Sequence, residues 1–394
     1  MELLIEIGVE ELPAIPFLKE RANIAPKWRA VLEANRINSD FRFEFSPRRF
    51  VLFHEDFPQR GDDAQIISTG APKSVALKDG AWSPAALSFA KKCGISESEL
   101  EFRQVGGKEV LYHAAVQKGR DSREILGEMI EEFLRSLNFG RAMRWGSGEF
   151  EFIRPIRSIA CVLGGENVDF EIYGVRSAAA FFPHRKFGYE AIKFKDAADY
   201  FALLGRNGVI LSEQKRKNKI LSEFAKLEKK HGFKIEVDPA LLDEVTAITE
   251  YPTALLGSFE RDFLSVPKEV IITSMKENQR YFPVFEGKNL SNHFVVVSNA
   301  ITDDDELVVR GNEKVLRARL SDAMFFWKSD LQAEFSPEKL KQISYMQALG
   351  SVYDKQVREL AVARALSVDY ATQIEAEIGK KDFAQDIENA LMFS

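Results

Sequence analysis

The sequence is poor in cysteine: Cys93 and Cys161 are the only two in 394 residues, far apart and in apolar surroundings. A disulfide framework or a cysteine-rich zinc site is therefore not expected, and buried thiols are. No run of about 18 apolar residues occurs, so neither a transmembrane helix nor a membrane partner is expected. The opening residues, Met1-Glu2-Leu3-Leu4-Ile5-Glu6, carry acids where a secretory signal carries bases, which predicts a cytoplasmic protein. The usual chemistry-bearing motifs are missing too. Gly106-Gly107-Lys108-Glu109 lacks the first glycine and the hydroxyl of a phosphate loop. There is no G-x-G-x-x-G, G-x-S-x-G or H-E-x-x-H. Phe102-Arg103-Gln104 faintly suggests an ATP-binding arginine, but no glycine-rich partner follows. His54, His113, His184, His231 and His293 are scattered and form no catalytic constellation. No catalytic residue, metal site or cofactor is expected in this chain. A basic surplus is absent as well, since 54 Lys and Arg face 60 Asp and Glu. That disfavours nonspecific coating of nucleic acid, and no DNA partner is expected. A local phosphate-binding patch remains open.

Apolar residues are plentiful: 45% of the chain is hydrophobic, with 31 phenylalanines. So much aromatic area predicts well-packed domains rather than a disordered tail. The length predicts two or three of them. Alternation predicts strands at 2–8, 41–45, 49–53 and 110–116, and a pair at 159–163 and 168–173. Amphipathic spacing predicts helices at 13–36 and 122–137, and Ser83-Pro84 opens a short helix that stops at Gly94. Near 190 the pattern changes. Residues 196–231 read as charged helix, followed by helices at 241–248 and 267–278 and strands at 253–258, 281–285 and 293–298. Thr302-Asp303-Asp304-Asp305-Glu306 supplies a cap and an acidic first turn to a helix reaching about residue 331. The last sixty residues read as helical throughout. The expected fold class is α+β and multidomain, with mixed sheets packed with helices and an all-helical end. The expected domains are 1–185, 186–335 and 336–394. The apolar run at 390–394 suggests a chain cut inside or just after a helix.

Several clusters concentrate cations, among them a basic and aromatic mixture from Arg144 and Trp145 to Arg154 and Arg157. Ser46-Pro47-Arg48-Arg49-Phe50 puts two arginines on a turn between strands, where guanidinium forks match phosphate. A surface pair without a role is the plain alternative. Lys276, Asn278, Gln279 and Arg280 join a helix end to a strand and offer donors to phosphate, sugar or base edges. The helix dipole alone also favours cations there. Tyr281, Phe282 and Phe285 read as core. Arg310, Lys314 and Arg317 fall at i, i+4 and i+7, with Arg319 close by. They face phosphate or an acidic partner, or else pair with Glu306 and Glu313 on a solvated helix. Spacing alone favours the second reading. On the same helix Leu316, Leu320, Ala323 and Trp327 form the buried stripe. The run 214–219 reads as a solvated basic face. His184, flanked by Arg185 and Lys186, is expected to be neutral.

Several blocks carry a resemblance to a known family. Residues 273–285 read TSMKENQRYFPVF, and 310–327 contain Gly311-Asn312-Glu313 and Leu320-Ser321-Asp322-Ala323-Met324-Phe325-Phe326. With Leu3-Leu4-Ile5-Glu6-Ile7-Gly8, Ser46-Pro47-Arg48-Arg49-Phe50, Met143-Arg144-Trp145, Phe152-Ile153-Arg154-Pro155 and Val352-Tyr353-Asp354-Lys355, they appear in order along the chain. This pattern resembles the β subunit of bacterial two-subunit glycyl-tRNA synthetase. Val9, Pro183, Lys186 and Ser212 depart from it. The resemblance implies a subunit of an α2β2 glycine–tRNA ligase whose α subunit activates glycine with ATP and Mg2+. This chain would contact tRNA(Gly) and the α subunit and position the tRNA. Alternatively it is a docking platform, with tRNA bound by the missing half. The resemblance also implies that the family continues into an HD-type domain, beginning within 336–394, and an anticodon-binding domain. By fold-level analogy, part of the chain is similar to the B3/B4 module of the phenylalanyl-tRNA synthetase β chain. Under the RNA reading, Arg48, Arg49, Lys276, Arg280, Arg310 and Arg317 should share one surface.

Overall fold

The computed structural model describes residues 1–78, 80–333, 336–379 and 383–392. The boundary expected at residue 335 and the last two residues of the terminal run lie outside them. Contacts divide the chain into two units, Met1–Leu320 and Ser321–Ser394.

The first unit is built around a five-stranded antiparallel sheet. Its order is Glu166–Asn167, Ile156–Leu163, Leu3–Val9, Arg49–His54 and Arg42–Ser46. Period-two alternation sorts each strand onto two faces. Leu3, Ile5, Ile7, Phe50 and Leu52 enter the larger core under the helices Ala14–Ala34 and Ser122–Ser136. Leu4, Val51, Phe53, Ala160 and Val162 enter a second core against the helix Ala197–Arg206. The change of pattern near 190 therefore does not end the packing on this sheet. Glu6 and Arg49 sit on the second face too, in a layer otherwise apolar. The expected strand pair at 159–163 and 168–173 is instead a hairpin to Glu166–Asn167. Beyond it the Val168 amide still donates to the Cys161 carbonyl at 2.8 Å, and Val168 enters the larger core.

A second antiparallel sheet runs Lys234–Ile235, Phe282–Glu286, Asn289–Ser298, Thr253–Ser258. Ile220 and Phe224 of the helix Glu213–His231, with Leu241, Leu242 and Val245 of Pro239–Ala247, cover one face. Arg216, inside the basic run expected to be solvated, is wholly buried. A three-stranded sheet of Ala64–Pro72, Lys108–Gln117 and Glu101–Val105 packs the helix Pro84–Cys93 over a small core of Ala76, Ala86, Phe89 and Leu111. That helix has the ends its sequence predicts. Ser83 accepts from the Ala86 amide, and Gly94 closes it at φ 69°. Cys161 is buried and burial pushes its thiol pKa up, whereas Cys93 is half-buried; both are free.

The helix Asp305–Gln332 runs out of the first unit. Asp304, not Thr302, caps it by accepting from the Leu307 amide at 2.9 Å. In the second unit a short pairing of Ser344–Met346 with Gly350–Ser351 precedes the helices Val352–Asp369, Ala371–Ile378 and Ala384–Met392. The end is therefore not helical throughout: a 3-10 helix, Pro337–Gln342, and this pairing come before the first α-helix at Val352. A capping box at Ser351 and Asp354 sets that start.

Candidate functional site: a buried arginine pair, a pocket and a cationic helix

Arg49 opens its strand opposite Gly8 of the central strand. Its side chain is 2% exposed. It donates to Glu6 Oε2 at 3.0 Å, to Glu250 Oε1 at 3.3 Å and to the Phe182 carbonyl at 2.8 Å. Arg48 donates from Nη2 to Glu250 Oε2 at 2.6 Å and to the Pro183 carbonyl at 2.7 Å. Ser46 Oγ donates to Glu250, and Tyr200 donates its hydroxyl to Glu6. Burial would lower the Arg49 pKa, but Glu6 and then Glu250 raise it. Burial would raise that of Glu250, but Arg49 and then Arg48 hold it below the usual carboxylate range. Burial pushes the Tyr200 phenol far up, with Glu6 adding to it. One buried and one half-buried cation thus meet two buried carboxylates, with donors and carbonyls completing the cluster. Such a cluster is tolerated only because every charge has a partner. Arg48 and Arg49 are therefore not on an open surface, and the single-surface expectation does not hold for them.

Above this floor lies a pocket of about 200 Å³, lined in part by Glu6, Gly8, Arg49, Arg157, Ser158 and Tyr189. Four separate stretches of chain build it. The central strand has a register shift between Gly8 and Val9 where it meets Ile156–Leu163. Bulges of this kind re-aim side chains at strand ends. Gly8 faces Ser158, and a Cβ there would stand 2.1 Å from Ser158 Oγ. That hydroxyl is buried and has no hydrogen-bond partner among the described residues. At the rim Arg157 and Arg185 share Glu10, and Arg185 also reaches Glu11 at 2.9 Å. His184, just behind, is buried. Its Nε2 meets the Asn299 carbonyl at 3.0 Å, and its Nδ1 accepts from the Lys186 amide. Burial lowers its pKa, in keeping with the neutral ring expected from the sequence.

Lys276 and Asn278 lie in a wide π turn, Ser274–Gln279, which ends on Arg280 at φ 57°. Helix widening of this kind gathers at functional sites. Both cations here have partners. Lys276 meets Asp238 at 2.6 Å, and Arg280 Nε donates to Glu244 at 2.8 Å. The acids come from the Pro239–Ala247 helix and its cap, partners the helix-end reading did not include. Asn278 is exposed and Gln279 half-buried. Tyr281 and Phe282 are buried as expected, while Phe285 is half-buried.

On the Asp305–Gln332 helix, Leu316 and Leu320 are buried, whereas Ala323 and Trp327 of the expected stripe are half-buried. At roughly 100° per residue, Arg310, Lys314 and Arg317 share one flank, and Arg319 stands about 180° from Arg310. Arg310 pairs with Glu306 at 3.3 Å. Glu313 does not pair with Arg317. It accepts from the Ser258 amide and hydroxyl, and Arg317 turns to Glu260 at 2.6 Å. Asn312, on the flank of Arg319, accepts from the Tyr281 hydroxyl at 2.7 Å. The Lys276–Arg280 turn thus adjoins the Arg319 flank, and the other three cations face away from it. Lys314 and Arg319 are exposed and have no acidic partner among the described residues. Sequence reading missed Glu6, Glu250 and the pocket. The available signal was Glu6 itself, a carboxylate in the middle of a strand read as buried.

Comparison with known proteins places these features in context. The sequence model of the family described as "Glycyl-tRNA synthetase beta subunit" matches residues 3–390. The chain is 40% identical to the glycine–tRNA ligase beta subunit of Helicobacter pylori strain HPAG1, over 96% of this chain and 56% of that protein. It is 37% identical to that of Oceanobacillus iheyensis, over 98% of this chain and 58% of that protein. It is 38% identical to that of Bacillus subtilis strain 168, over 93% of this chain and 54% of that protein. The chain thus spans a little over half the length of these relatives.

Proposed function

Since the chain belongs to the glycyl-tRNA synthetase β-subunit family, we propose that it serves glycyl-tRNA synthesis by engaging tRNA(Gly) and docking the α subunit. On this reading the α subunit does the bond chemistry, with its ATP and Mg2+. The present chain contributes position, holding the tRNA where it can react. The observation that supports the RNA contact is the outer flank of the Asp305–Gln332 helix. Arg310 and Arg317 are held there only by exposed ion pairs, and Lys314 by none among the described residues. Exposed pairs are weak, so a phosphate can take over either arginine at small cost. The test is binding of tRNA(Gly) by this chain across a salt series. Affinity falling steeply with salt supports phosphate contacts in this region. Absence of binding overturns it.

The docking reading has an observation of its own. In the second unit Phe325 and Phe326 are 67% and 62% exposed, side by side. Large exposed apolar groups of this kind mark protein contacts. If the chain is only a platform, it forms a stable complex with the α subunit yet does not bind tRNA. Phe325→Ser with Phe326→Ser would then abolish the complex.

A further inference from the structure

The pocket above the arginine pair is not used by the function proposed above, and its chemistry is selective. Four arginines line it, Arg48, Arg49, Arg157 and Arg185, against two acids, Glu6 and Glu10. Once Glu250 and Glu11 are counted, acids and arginines balance, so an anion is met only by arginines free to leave their acids. The lining groups differ in how far they are committed. Arg48 and Arg49 are locked to Glu250 in the floor. Arg157 and Arg185 are about half exposed and rest on the half-buried Glu10, with Glu11 beside Arg185. An incoming dianion competes well for such arginines, because guanidinium–phosphate bonding is charge-assisted and bidentate.

Two polar atoms deeper in are unspent. Ser158 Oγ is buried without a partner. Glu6 takes both Arg49 and Tyr200 on Oε2, and Oε1 has no partner among the described residues. The charge of Glu6 is already balanced by Arg49, so Oε1 suits a ligand hydroxyl better than a cation. A buried polar atom left open, as Ser158 Oγ is, calls for a partner. A carboxylate and a hydroxyl lining one pocket match a sugar diol, as acidic residues do in ribose recognition.

Size narrows the ligand further. About 200 Å³ is available, less than the roughly 300–1,000 Å³ of sites that enclose a drug-sized molecule. The interior holds a ribose and a phosphate but not a base as well. Tyr189 lines the pocket and is 76% exposed, a ring offered to solvent where a base would emerge. Base–aromatic stacking tolerates any base.

We infer that this pocket binds a nucleotide: phosphate on Arg157 and Arg185, ribose hydroxyls toward Ser158 and Glu6, and base on Tyr189. The same chemistry is offered by a free mononucleotide and by a nucleotide in an unpaired RNA strand. The test is calorimetric titration of this chain with AMP, ribose 5-phosphate, inorganic phosphate, glycine and a single-stranded RNA trinucleotide. Expected is saturable AMP binding that weakens at least tenfold in Arg157→Gln/Arg185→Gln. Tyr189→Ala should weaken AMP by about fivefold or more and leave ribose 5-phosphate unchanged. All three side chains are substantially exposed, and thermal unfolding of each variant checks that the fold is kept. Lys314→Gln/Arg317→Gln should leave AMP affinity unchanged, which separates this site from the cationic helix. A trinucleotide that competes with AMP assigns the site to RNA; AMP binding without trinucleotide binding assigns it to free nucleotide. No AMP binding, equal binding of inorganic phosphate and AMP, binding of glycine alone, or indifference to Arg157→Gln/Arg185→Gln would overturn the assignment.

Discussion

The floor of the first sheet and the outer flank of the Asp305–Gln332 helix use the same cations for opposite ends. Arg48 and Arg49 lie inside, each on a carboxylate that is 1% exposed. Arg310 and Arg317 lie outside, 60% and 58% exposed, on acids that water also reaches. The first pair joins distant parts of the chain, since Glu250 lies more than 200 residues beyond Ser46 and Arg48. The second is available to a partner. A cation motif alone does not tell these apart. What decides is whether carboxylates in the fold have already claimed it. Arg216 is a third case: wholly buried, it donates to the carbonyls of Phe45, Ile210, Leu211 and Thr246 and pairs with no carboxylate among the described residues. Burial lowers its pKa to about 10, opposite in direction to Arg49.

The contrast breaks first at Glu250. Glu250→Ala leaves Arg48 and Arg49 short of a buried counter-charge. It should destabilise the chain by about 3–5 kcal/mol in urea unfolding. A loss under about 1 kcal/mol would mean that the cluster is not structural. The acid limb sharpens the point. An unfolded glutamate titrates near about 4.3, and the folded Glu250 lies lower. Its stabilisation is therefore complete above that value and is lost as pH falls through the depressed folded pKa. Glu250→Gln should remove this share of the acid sensitivity.

His54 gives the next largest effect. It is wholly buried, accepts from Trp28 Nε1 at 3.0 Å and meets Ser39 Oγ at 2.8 Å. Burial lowers its pKa to about 4, against roughly 6.5 when unfolded. The unfolded chain binds the proton more readily, so stability should drop as pH falls from about 6.5 to about 4, by on the order of 3 kcal/mol. Following the His54 ring by NMR checks this directly, and a ring that titrates near 6.5 would refute it.

Lys276→Ala tests the intermediate case. Its pair with Asp238 is partly shielded, so a loss of about 1 kcal/mol or less is expected. Least affected in stability should be Lys314→Gln/Arg317→Gln, within about 0.5 kcal/mol of the parent.

The sequence made the elements legible because local signals control them. Alternation at 41–53, the Ser83-Pro84 cap and the Gly94 stop concern residues within a few positions of each other. Most strands and helices fall within a few residues of expectation for that reason. The site was less legible. Arg48 and Arg49 read as turn residues because Glu6 and Glu250, which bury them, belong to distant parts of the chain. Glu313 read as the partner of Arg317 by helical spacing, yet the end of the neighbouring strand offered it the Ser258 amide and hydroxyl. The pocket was invisible because four separate stretches meet to form it: its arginines were legible as separate cation clusters, but not that they come together around Glu6.

The most direct measurement is the salt dependence of tRNA(Gly) binding by the parent chain and by Lys314→Gln/Arg317→Gln. The account predicts that the parent's log K falls linearly with log salt, and that the double variant binds more weakly with a slope shallower by about two. An unchanged slope and affinity in a folded variant would contradict it and take the phosphate contacts away from this helix.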